Sequence, residues 1–97
     1  AQNRVIKIAR NYNSLSTVLH EFGHYTAFAA GNADRTSSFS IIYNEEKDMY
    51  TGSPYNISSA SEYFAESFGE YIENPSALMD LRPKTYHAIV QAVLSLK

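Results

Sequence analysis

The sequence predicts an α+β domain, mainly helical with a short β component, and three observations carry that prediction. Apolar residues recur at helical spacing over 17–30 and again through the carboxyl-terminal half. Two short runs are β-branched, Val5, Ile6 and Ile8 within 4–9 and Ile41 and Ile42 within 39–43, and read as strands. Pro75 and Pro83 fall where a proline suits the first turn of a helix.

Taken in order, the strand at 4–9 leads into a polar turn rich in Asn and Ser, where Ser14 or Ser16 can cap the first helix. In that helix, over 17–30, Val18, Phe22, Tyr25 and Ala29 share a face, with Leu15 and Leu19 beside them, and the face is expected to pack inward. Gly31 and Asn32 end it. Small polar residues make 31–38 a loop before the second strand at 39–43, and 44–54 is polar again. Ser59 and Glu62 have capping-box spacing, which starts a helix near Ser58 or Ser59 that runs until Asn74 and Pro75 interrupt it. A short helix continues through Leu81. A final amphipathic helix after Pro83 carries Tyr86, Ile89, Val90, Val93 and Leu94.

With 97 residues the chain has room for one domain, 1–97, with one modest core. Forty-four per cent hydrophobic and 19% charged residues place it among globular chains. A formal charge of -2 offers no basic footprint for a nucleic acid, which excludes that partner class from the expectation. No apolar run is long enough to span a bilayer. The absence of cysteine removes disulfides, thiolate metal sites and thiol nucleophiles together, so any metal must be held by His and carboxylates.

The segment His20-Glu21-Phe22-Gly23-His24 meets that condition. Residues four apart on a helix lie about 40° apart in azimuth and about 6 Å apart along the axis, so the two imidazoles can converge on one ion. Glu21 is rotated enough that its carboxylate would reach a water on the metal, the position of a general base. Gly23 costs a helix about 1 kcal/mol relative to Ala, which hints at a close approach to the backbone there.

Zinc that does catalysis takes three protein ligands and keeps a fourth position open. Asp34, Glu45, Glu46 and Asp48 fall in expected loops and read as solvated charges, whereas Glu62, Glu66, Glu70 and Glu73 form a stripe on one helix. The stripe favours Glu62 as ligand with Glu66 supporting a histidine, and Glu66 with Glu70 is the shifted alternative. Glu62 also has a plainer role as the capping-box partner of Ser59. Spacing does not choose an oxyanion donor among eight tyrosines; Tyr12, Tyr43, Tyr50 and Tyr55 are the ones in strand or loop contexts. His87 has no ligand-spaced neighbours and reads as an ordinary helix residue.

Three pieces together, Leu19-His20-Glu21-Phe22-Gly23-His24, Glu62-Tyr63-Phe64-Ala65-Glu66-Ser67-Phe68 and Pro83-Lys84-Thr85-Tyr86, make the chain resemble the anthrax lethal factor-like zinc metallopeptidases, which include the Pro-Pro endopeptidases. These are HExxH zincins of the gluzincin type. The resemblance implies a zincin-like core with Zn²⁺ held by His20, His24 and Glu62, supported by Glu66. It further implies Glu21 as general base and Tyr55, seven residues before the ligand glutamate, as oxyanion stabiliser. The activity it implies is zinc-dependent endopeptidase hydrolysis of a protein or peptide substrate by a metal-activated water, in a secreted or extracellular setting. It also fits a catalytic core excised from a larger protein. The alternative expectation is a catalytically silent, zinc-stabilised binding module of a larger toxin or adhesin.

Overall fold

The computed structural model describes residues 14–96. Five α-helices account for most of them: α1 (Ser14–Ala29), α2 (Ser37–Glu46), α3 (Ala60–Glu73), α4 (Pro75–Leu81) and α5 (Pro83–Ser95). Short 3-10 turns lie at Ala33–Arg35, Lys47–Met49 and Pro54–Ile57.

The α+β expectation, with its zincin-like core and short β component, is overturned, because the described residues contain no strand and form an all-helical domain. The run at 39–43 lies inside α2. Thr36 sits extended ahead of that helix and its hydroxyl accepts the Phe39 N–H at 3.1 Å, which starts the helix. Phe39, Ile42 and Tyr43 then fall three and four residues apart and meet the core, while Ile41 is left exposed. Capping and core packing outweigh the β preference of two isoleucines here. The strand expected at 4–9 lies outside the described residues.

α3 is the central element, buried through Tyr63, Phe64, Ala65, Ser67 and Phe68. Ser59 caps it, its hydroxyl accepting the Glu62 N–H at 3.2 Å. Phe39 of α2, Ala27 of α1 and Ile89 and Ala92 of α5 complete the core around its aromatic side. Asn74 closes α3 and caps α4 by accepting the Ala77 N–H at 3.3 Å. Glu46, expected as a solvated loop charge, is instead buried at the start of α5. There it accepts the N–H groups of Lys84 and Thr85 at 3.0 and 2.8 Å and the Thr85 hydroxyl at 2.7 Å. A carboxylate is well placed among the unpaired donors of a helix amino terminus.

The inward face of α1 also differs from expectation. Leu19, Gly23, Thr26 and Ala27 are buried, whereas Leu15, Phe22, Tyr25 and Phe28 are exposed. At Gly23 the two helices approach to backbone contact, and a large side chain there would hold them apart. Ser16, one of the expected caps, lies within the helix, which begins at Ser14.

Candidate metal centre

The site is built where α1 meets α3. A Cβ placed on Gly23 would stand 2.7 Å from the Ala65 Cα and 2.8 Å from its carbonyl oxygen, so only a glycine permits this approach. His20 and His24 flank Gly23 on α1, and Glu62 and Glu66 flank Ala65 on α3. The crossing therefore brings two imidazoles against two carboxylates.

Three atoms converge. His20 Nε2 lies 2.7 Å from Glu62 Oε1 and 3.2 Å from His24 Nε2, and His24 Nε2 lies 3.5 Å from Glu62 Oε1. Donors arranged tetrahedrally about 2.0–2.1 Å from one ion stand about 3.3 Å apart. Two edges of the triangle are close to that figure and the third is shorter, so the donor set fits a zinc-sized ion. All three side chains are partly exposed, at 24%, 35% and 43%, which leaves the centre accessible from solvent.

His20 presents Nδ1 to Glu66 Oε1 and Nε2 to Glu62 Oε1, both at 2.7 Å. A neutral imidazole has one proton for these two carboxylates. With that proton on Nδ1, the Nε2 lone pair faces His24 Nε2 and Glu62 Oε1, an arrangement in which one cation would be shared by all three donors.

Both Glu66 oxygens already have partners. Its Oε1 accepts from His20, and its Oε2 accepts the Tyr50 hydroxyl at 3.1 Å. Burial raises the Tyr50 pKa above its ordinary value; a hydrogen bond from Asn56 opposes this and the Glu66 charge adds to it. The phenol thus stays neutral and donates at physiological pH. The Tyr50 ring stacks under Arg82, which is buried, pairs with Glu70 and donates to the Ser67 hydroxyl at 3.1 Å. With Glu70 held by Arg82 and Glu66 held twice, Glu62 is the carboxylate that meets both imidazoles.

On the other side, the Ser61 hydroxyl donates to Asp34 Oδ2 at 2.7 Å and its oxygen lies 3.5 Å from His24 Nδ1. Asp34, read from sequence as a solvated charge, is buried. A cavity of about 490 Å³ opens over the centre, lined by His20, Glu21, Tyr55, Asn56, Glu62 and Glu66 among others. Glu21 is exposed at its wall, and its carboxylate makes no hydrogen bond or ion pair among the described residues. Tyr55 stands on the Pro54–Ile57 turn and is 83% exposed. That turn is tied to α2 by the Tyr43 hydroxyl, which donates to the Ile57 carbonyl at 2.7 Å. Of the four tyrosines in expected strand or loop contexts, Tyr43 and Tyr50 have committed hydroxyls, and Tyr12 lies outside the described residues. Tyr55 lines the cavity. His87 is exposed on α5, edge-on to Tyr86 and apart from the centre.

Sequence reasoning did not single out Ser61, and it named Asp34 and Tyr50 without the contacts they make here. Only Ser61 carried a usable signal, lying next to Glu62 on the glutamate-striped helix; Asp34 and Tyr50 arrive through turns whose paths spacing does not reveal.

The family profile described as anthrax toxin lethal factor, N- and C-terminal domain, matches residues 3–92. That description spans two domains, so the match by itself gives the chain no activity. Neither the curated proteins nor the solved structures yield a match. No described helix is long and apolar enough to cross a membrane.

Proposed function

The chain belongs to the anthrax toxin lethal factor family, and from that premise we propose that it is a zinc-dependent endopeptidase acting on a protein or peptide substrate, secreted as part of a toxin-like system. The observation that carries the reading is the triangle of His20 Nε2, His24 Nε2 and Glu62 Oε1, with edges of 2.7, 3.2 and 3.5 Å. These three side chains would hold Zn²⁺. Bound there, the ion would supply Lewis acidity toward a peptide carbonyl and toward water.

The remaining work falls to residues around the cavity. Glu21, with an uncommitted carboxylate at the wall, takes the proton of the attacking water and returns it to the leaving amine. Tyr55 donates its hydroxyl to the developing oxyanion. Glu66 keeps the His20 proton on Nδ1 and Tyr50 keeps Glu66 in place, so that the ligating nitrogen faces the centre.

The test is Glu21→Gln, which removes the base and leaves the three ligands intact. It should bind zinc as the parent does while cleavage of a peptide library falls by about 10²–10⁴-fold. Undiminished, chelator-sensitive cleavage by this variant would reject the assignment. A second reading, a zinc-stabilised module that binds without cutting, is favoured by the high exposure of Tyr55 and by the absence of any described strand along the cavity to pair an extended peptide. Zinc binding by the parent without any cleavage would select it.

A further inference from the structure

We propose that Asp34 and Ser61 act as positioning residues that fix the tautomer of His24, an inference that rests on the zinc-centre reading. Glu66 orients His20 directly, but His24 has no carboxylate on its Nδ1. It has Ser61, at 3.5 Å, backed by Asp34. A serine hydroxyl has one proton. Because the Ser61–Asp34 contact is short, at 2.7 Å, and ends on a carboxylate, that proton is committed to Asp34 and the Ser61 oxygen offers only lone pairs to the imidazole. When His24 turns Nε2 toward an ion shared with His20 Nε2 and Glu62 Oε1, its proton lies on Nδ1, and the Ser61 oxygen is the acceptor placed for it.

The chain spends conformational freedom to put Asp34 there. Gly31 and Asn32 both adopt left-handed backbone, with φ of 76° and 60°, and turn the chain from the end of α1 into the 3-10 turn Ala33–Arg35. Asn is among the few residues with a side chain that tolerates this region. The reversal seats the Asp34 carboxylate, only 7% exposed, beside the first turn of α3. A buried carboxylate facing a serine that also faces a candidate ligand has a use beyond joining two elements. The 3.5 Å contact is long for a hydrogen bond, so its effect should lie at the weak end of the range for such supporting groups, about tenfold in metal affinity.

The decisive readout is the His24 Nδ1–H of the zinc-loaded protein, whose ¹H shift and exchange with solvent report its hydrogen bond, alongside zinc affinity by chelator competition. The parent should show a downfield, slowly exchanging Nδ1–H. Ser61→Ala should lose that protection and bind zinc about tenfold more weakly, and Ser61→Thr, which keeps the hydroxyl, should restore both. Asp34→Ala removes the acceptor of the serine proton and should move both readouts in the same direction as Ser61→Ala. If Ser61→Ala does not fold, Asp34→Ala and Ser61→Thr decide the matter between them. An unchanged Nδ1–H and an unchanged zinc affinity in a folded Asp34→Ala or Ser61→Ala protein overturn the relay. Failure of the parent to bind zinc would overturn the peptidase reading and the relay together, whereas a zinc-binding parent with unaltered variants overturns the relay alone.

Discussion

The carboxylates around the centre are sorted by what each one meets. Glu66 is bridged between His20 and Tyr50, Glu70 is held by Arg82, and Glu62 alone offers an oxygen to both imidazoles. Glu62→Ala should therefore abolish zinc binding in a chelator competition. Glu66→Ala should weaken it by about 10–100-fold without abolishing it. The reverse ranking would move the ligand role to Glu66. Tyr55→Phe removes one donor near the cavity and no ligand, so turnover should fall by about 10²–10³-fold with zinc affinity unchanged, as a kinetic comparison of the two proteins would show. At this scale the sequence was informative where chemistry obeys helix spacing: His20 and His24 lie one turn apart on one helix with Glu21 beside them, and Glu62 and Glu66 lie one turn apart on another. It was silent where a residue comes in from a turn. Nothing in the spacing of Asp34 or Tyr50 predicts that one backs Ser61 and the other clamps Glu66.

Among the elements, the pairing of α1 with α3 sets the site, and it depends on an absent side chain. Gly23→Ala would drive a methyl group to within 2.7 Å of the Ala65 backbone, which cannot rotate away as a side chain would. Overpacking should cost about 1–3 kcal/mol, of which the better helix propensity of Ala returns about 1 kcal/mol, and the net loss is read as a lower thermal midpoint in the metal-free protein. Because the histidines flank this position, zinc affinity should fall with it. A variant as stable as the parent would show that the helices do not meet as described. Helix ends were legible where the chain carries chemical punctuation, since Ser59, Asn74, Pro75 and Pro83 mark the bounds of α3, α4 and α5. The buried face of α1 was not. Hydrophobic periodicity weighs large side chains most, and here the buried face holds Gly23, Thr26 and Ala27 while Phe22, Tyr25 and Phe28 are exposed.

For the whole molecule, the β-branched run in α2 misled the fold class because a cap at Thr36 and a core around α3 decide local structure that propensity alone cannot. The core and the centre share α3, so occupancy of one should be felt by the other. Zinc at ~100 times its dissociation constant should add about 2.7 kcal/mol to stability. Calorimetry with and without chelator reads this directly, and the difference should vanish in Glu62→Ala. The Gly23–Ala65 crossing carries this further. Helices already at backbone contact cannot close on a smaller ion, and the core that Ala27 of α1 shares with Phe64 and Phe68 of α3 resists their spreading. The glycine thus acts as a gauge block that sets the aperture of the cage. Calcium, which asks for six to eight oxygens at about 2.3–2.6 Å, finds two nitrogens and a fixed bore, and should fail to displace zinc even in large excess.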